Sequence, residues 1–262
     1  MNLQGSTTMD VHKHICVLRI HLLTMCNLSQ RALDYSIKGY EMGHPGICAH
    51  ACSAEYELAE HHFQIKYLCR KLMTASVATP SDLRFVLATL RIDHALHAIF
   101  RAATRIAQDS IHFLEGMPAV KCPALNRLGE FVNCSMRLCI VALFKKDFVH
   151  AETVLQSQGV WRRCEMVFDD VRDGASHRME AQDVYALAIA RSLGIAAKQV
   201  HEMADAILFW LKGSDDALAL MTDGQDTLNL LFGGCSSGME DNSGPAIGHH
   251  TTSLTPIAGL LP

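Results

Sequence analysis

The chain has 262 residues, 49% of them apolar and 19% charged, with a net charge of −4 when histidine is neutral. That suffices for one large domain or two modest ones with real cores, and it is too apolar for a disordered chain. The acidic balance argues against a broad nucleic-acid surface, and no apolar run reaches the ~18 to 20 residues of a membrane span.

Aromatic residues make up only 6%, whereas Ala, Leu, Ile and Met are plentiful, so the composition favours helices over strands. The first helical pattern runs from about 11 to 41 and stops at "MGHPG". A second covers about 47 to 76. The third begins at "TPSD", with Thr79 as N-cap, Pro80 at the first helical position and Asp82 reaching back to complete a capping box, and ends near 114. "EGMPAVKCPAL" (115–125), with two prolines, reads as the boundary between halves. A fourth helix is expected over about 125 to 146 and a fifth over about 148 to 172. After the break "DGASHR" (173–178) a sixth spans about 179 to 212 and stops at Gly213. Residues 224–262 change character: the stretch 233–262 is rich in Gly, Ser and Thr, has no Lys or Arg, and reads as a flexible tail.

The two halves look alike. A shift of 97 positions lays the third helix on the sixth without a gap, so that Leu87 meets Val184, Leu96 meets Leu193, Ala103 meets Val200 and Ile106 meets Met203. Three helices, a break and three more helices form an internal repeat. The expected fold is all-α: two repeated three-helix bundles, 10–114 and 124–213, followed by the tail.

Ten cysteines include no CxxC pair; Cys48 and Cys52 lie four apart, and most others, Cys16, Cys26, Cys69, Cys134, Cys139 and Cys164 among them, stand singly inside apolar patterns. They read as buried reduced thiols, which fits a cytoplasmic protein, as does a start, "MNLQGSTTMD", without the pattern of a secretory signal. There is no Gly-rich phosphate loop, nucleophile elbow or HExxH motif, and "GGCSSG" (233–238) lacks a following Lys-Ser/Thr. An enzyme is therefore not expected.

The third helix carries the one unusual pattern. Ile92, Leu96, Ile99, Ala103 and Ile106 form a buried stripe at steps of four and three, and His97, Arg101 and Arg105, with His94 among them, fall roughly opposite it. A solvated face is the plainest reading of such a row; a docking face for an anion or an acidic partner is the functional one. His94 and His97 make a poor metal site without a third ligand, and the adjacent His61 and His62 point in different directions.

"SDLRFVLATLRIDHALHAIFRAATRIA" (81–107) resembles the signature helix of the PhoU proteins, regulators of bacterial phosphate uptake, through Asp82-Leu83-Arg84 and the later frame of Leu96, Ile99, Ile106 and Ala107. "YALAIARSLGIAAKQVHEMADAILFWLKG" (185–213) is similar to the helix of the second PhoU repeat, including Ala190-Arg191, Leu193, Phe209 and Gly213. The resemblance spans about residues 10 to 213. It implies a cytoplasmic, non-enzymatic regulator that works through protein partners of phosphate transport or phosphate sensing, with a homodimer also compatible, and with neither nucleic-acid binding nor membrane insertion.

The resemblance also implies outward acidic positions able to hold metal, and here this chain departs from it. The first-repeat positions fall on His97, Arg101 and Arg105, and the second-repeat positions on Gly194, Lys198 and Glu202. Those of the second and fifth helices fall on Glu55 and Ala59, and on Gln158 and Arg162. Only Glu55 and Glu202 keep a carboxylate. Hard cations need several converging oxygens. A guanidinium about 5 Å from a divalent ion, at an effective dielectric near 20, instead contributes on the order of 6 kcal/mol of repulsion. Family-type metal clusters, and any other cofactor, are expected to be absent. His97, Arg101, Arg105, Lys198 and Glu202 then become candidates for partner or anion binding. Two other readings remain open: a helical interaction protein that has left phosphate control, and a metal-handling protein using His and Cys.

Overall fold

The computed structural model describes residues 8–75, 79–116, 122–157, 169 and 181–213. All regular structure among them is helical: α1 (Thr8–Met42), α2 (Pro45–Cys52), α3 (Glu55–Met73), α4 (Pro80–Gly116), α5 (Pro123–Lys145), α6 (Phe148–Gln156) and α7 (Ala181–Lys212). The expected break at 173–178, the latter part of the fifth helix and the tail at 224–262 lie outside the described residues.

Local chemistry sets most boundaries. Thr79 and Asp82 cap α4 reciprocally: the Asp82 amide donates to Thr79 Oγ1 (3.1 Å), and the Thr79 amide and hydroxyl donate to Asp82 Oδ2 (3.0 and 2.7 Å). Gly43, at φ 62°, ends α1 while the His44 amide donates to the Gly39 carbonyl, the long bond of a Schellman turn. Lys146 takes the same left-handed turn (φ 54°) after α5, and the Asp147 amide donates back to Ala142.

The expected second helix is in fact two. Residues 53 and 54 form a turn between α2 and α3. Both the amide and the hydroxyl of Ser53 bond to the His50 carbonyl, three residues back, which replaces the four-residue ladder of a continuing helix. The short α2 is held close to α1. A Cβ on Gly39 would stand 2.8 Å from the Cys48 backbone nitrogen, so a side chain at 39 is incompatible with that crossing.

Residue pairings give the helix directions. Arg19 stacks over Phe85 and Ser29 bonds to the Leu96 carbonyl, so α1 and α4 run parallel. Cys139 meets the Val200 carbonyl and Lys146 lies over Trp210, so α5 and α7 also run parallel. Between the two halves, Asp34 meets Asn133 while Ile37 meets Gly129, which makes α1 and α5 antiparallel. Arg91 meets Asp205, whereas residues 98–109 lie beside 187–195, so α4 and α7 are antiparallel too. Two parallel pairs joined by antiparallel ones place an approximate two-fold between the repeats. One continuous core runs through it, from Leu18, Leu22 and Leu33 through Ile65, Ile92 and Ile99 to Val132, Met136, Val200 and Ile207.

Burial corrects the reading of the cysteines in part. Cys26, Cys48, Cys69 and Cys139 are buried free thiols, and burial pushes Cys69 and Cys139 up to about 12. Cys16 and Cys134 are exposed instead. An apolar pattern on a helix marks its buried arc only to within a residue, and both thiols sit at the edge of theirs.

Candidate functional site

The α4–α7 seam positions the candidate residues. Both helices are buried over most of their circumference, which leaves narrow solvent stripes: Arg91, His94, Arg101 and Arg105 are exposed on α4, and Arg191, Ile195, Lys198 and Glu202 on α7. α4 is thus flanked by α3 and α7, and the row read as facing away from its own trio runs along the joint with the second one.

The two halves of this seam differ. In one, Arg91 Nη2 donates to Asp205 Oδ2 (2.5 Å) and lies 3.8 Å from Glu202 Oε2. In the other, α4 and α7 enclose an open groove of about 780 Å³. Arg101 and Arg105 form one wall and Arg191 the other, over a floor that includes Ala98, Ala102, Ala188 and Ser192. Asp109 is the one carboxylate among the lining residues. Burial pushes its carboxyl above the usual carboxylate range despite the opposing pull of Arg105 and His112. Among the described residues no ion pair joins Arg101, Arg105 or Arg191 to a carboxylate. Three guanidinium groups therefore share a groove with a single, disfavoured anion.

The structure brings together Arg101 and Arg105 from the expected set and sends the others elsewhere. Glu202 serves the ion-paired half. Lys198 is exposed on α7 between the halves. His97 leaves the row: it is half-buried and stacks on His62 of α3, with ring centroids 4.9 Å apart and planes 27° apart. His62 in turn holds Asp93, which is 1% exposed. Burial, together with neighbouring His62, Arg101, His94 and Lys66, holds the His97 imidazole below its ordinary range. Arg191, Asp109 and the His62–Asp93 pair were absent from the sequence-based site. Arg191 enters only through the antiparallel pairing of α4 with α7, which a repeat alignment does not reveal.

Of the remaining positions compared with metal-binding ones, Glu55 and Ala59 are exposed at the start of α3, Gly194 is half-buried, and Gln158 and Arg162 lie outside the described residues. The donor set does not fit a cluster of hard cations, because Arg101, Arg105 and Lys198 offer no acceptor atom. Among the described residues, no group of three or more His, Cys, Asp or Glu is placed to hold a metal ion. No described helix is long and apolar enough to cross a membrane.

Two parallel pairs of long helices, α1 with α4 and α5 with α7, pack around one core. Residues 22–110 match the family model described as the PhoU domain. Its structure is similar to the crystal structure of PhoU from Pseudomonas aeruginosa, with TM-score 0.73 and 16% identity, covering 78% of this chain and 99% of that one. It is also similar to the phosphate transport system regulatory protein PhoU from Streptococcus pneumoniae, with TM-score 0.68 and 14% identity, covering 79% and 97%. Among curated proteins none matches the sequence.

Proposed function

We propose that this protein is a non-catalytic, cytoplasmic regulator of phosphate uptake and phosphate-responsive signalling that acts by docking to protein partners. The PhoU domain and the fold support the regulatory class. The observation that carries the docking role is the groove of Arg101, Arg105 and Arg191, whose positive charge no ion pair offsets among the described residues. Arginine is suited to this work because its planar fork meets carboxylates with two hydrogen bonds. The proposal includes the absence of family-type metal clusters, since cations and an alanine floor occupy this part of the seam. Elemental analysis of purified protein giving one or more metal ions per chain would refute that element.

The test is affinity purification from phosphate-replete and phosphate-starved cells with the wild-type chain and with R101E/R105E. Loss of a phosphate-transport or phosphate-sensing partner in the variant supports the reading. Unchanged capture removes the groove from it. A second reading, a helical interaction protein outside phosphate control, draws on the replaced acidic positions; a knockout with unaltered phosphate uptake would favour it.

A further inference from the structure

We propose that the open half of the α4–α7 seam receives an acidic amphipathic helix of a separate partner protein, with carboxylates four residues apart meeting Arg101 and Arg105. The inference rests on the docking reading above and specifies the chemistry of the occupant.

The approximate two-fold supplies the first argument. The 97-residue shift that relates α4 to α7 places Arg101 on Lys198 and Arg105 on Glu202. The ion-paired half of the seam is therefore the counterpart of the open half. There a helix presents two acidic residues three positions apart, Glu202 and Asp205, to the guanidinium of Arg91. In the open half Arg105 stands where Glu202 does and Ala188 where Arg91 does, so the pairing across the two helices is replaced by an arginine with no ion pair to the opposite helix among the described residues. Carboxylates for Arg101 and Arg105 must then come from outside the seam.

Dimensions supply the second. Four residues on a helix rise about 6 Å, so Arg101 and Arg105 are spaced like an i, i+4 pair of carboxylates on a helix lying alongside. The stretch 98–109 of α4 is about 17 Å long, or three turns, which suits a segment and not a lone oxyanion. Ala98, Ala102, Ala188 and Ser192 keep the floor low enough for close approach of a second backbone. Ile195, 46% exposed, adds an apolar contact at the edge. Charge along the walls with small and apolar residues beneath is the arrangement by which grooves recognise an amphipathic helix.

A displayed library of random 16-residue peptides, selected on the full chain and counter-selected on R101E/R105E, tests this. Enriched sequences should carry Asp or Glu at i, i+4 beside an apolar edge. A synthetic representative should protect amides in 98–109 and 187–195 from hydrogen exchange, and should bind R101E/R105E on the order of 100-fold more weakly. The variant R101Q/R105Q, with circular dichroism melts for both variants, separates lost charge from lost folding. Absence of enrichment, acidic residues without helical spacing, or equal competition by inorganic phosphate or unstructured poly-glutamate overturns the inference. So does a wild-type dimer that R101E/R105E abolishes, because the occupant would then be a second copy. If the inference fails while cellular capture still depends on Arg101 and Arg105, the docking reading stands; if capture is independent of both residues, that reading falls instead.

Discussion

His62 Nδ1 lies 2.9 Å from Oδ1 and 2.8 Å from Oδ2 of Asp93, so one imidazole N–H addresses both oxygens of an almost fully buried carboxylate. Burial raises the Asp93 carboxyl above its usual range, while His62, Lys66 and His94 pull it back. This bond ties α3 to α4 directly behind the exposed row. His62→Ala leaves the buried carboxylate without its partner and should cost about 3 kcal/mol at neutral pH, read from urea unfolding. Asp93→Asn keeps an acceptor for His62 and removes a charge that burial disfavours. It should therefore be near neutral at pH 7 and should rescue much of the His62→Ala loss in the double variant.

Acid should loosen the same region. His21 and His61 approach Nδ1 to Nδ1 at 2.8 Å across α1 and α3, a contact with room for one proton. Burial and His61 hold His21 below 6.5 against the opposing pull of Glu60, and His97 is lowered as well. Folded-state values below the unfolded value mean that the unfolded chain binds these protons first. The associated stability is full above pH 6.5 and is lost as pH falls through the depressed values. Melting temperature should drop as pH goes from 7 to 5, and H21N/H97N should flatten that slope; an unchanged slope would place the acid sensitivity elsewhere.

Two helical glycines should respond differently to alanine. At Gly39 the new Cβ would meet Cys48 Sγ at 2.4 Å and the Cys48 backbone nitrogen at 2.8 Å, so α2 itself must move. Gly39→Ala should cost about 1 to 3 kcal/mol. At Gly129 the close atoms, at 3.0 to 3.1 Å, all belong to the Ile37 side chain, which can yield. There the gain in helix propensity, about 1 kcal/mol, offsets the crowding and leaves Gly129→Ala within about 1 kcal/mol of wild type. Denaturant midpoints for the two variants check the contrast.

Removing the α4 cap should be felt in proportion to its bonds. Thr79→Ala deletes the acceptor for the Asp82 amide and the donor to the Asp82 carboxylate. A loss of about 1 kcal/mol is expected, with fraying confined to the first turn in hydrogen exchange. Ser at the same position should restore it.

The parts of the fold written in local chemistry were legible in the sequence. Thr79, Pro80 and Asp82 mark the start of α4, the stop at Gly43 marks the end of α1, and period and order alone give helices over α1, α4, α5 and α7. The α2–α3 break escaped because no glycine or proline signals it; it depends on Ser53 bonding backward and on α2 being drawn against Gly39. In the site, Arg101 and Arg105 were legible as a row. The departure of His97 towards His62 and the arrival of Arg191 opposite Arg105 both depend on which helices flank α4, and that is decided by packing between distant segments.

The contrast between the two ends of the α4–α7 joint bears on stoichiometry. A duplicated scaffold would ordinarily offer two equivalent seats, yet the positions equivalent to Arg101 and Arg105 are Lys198 and Glu202, and Glu202 faces Arg91 within the chain. A titration should therefore plateau at one equivalent per chain, because only one half of the joint carries two arginines four residues apart.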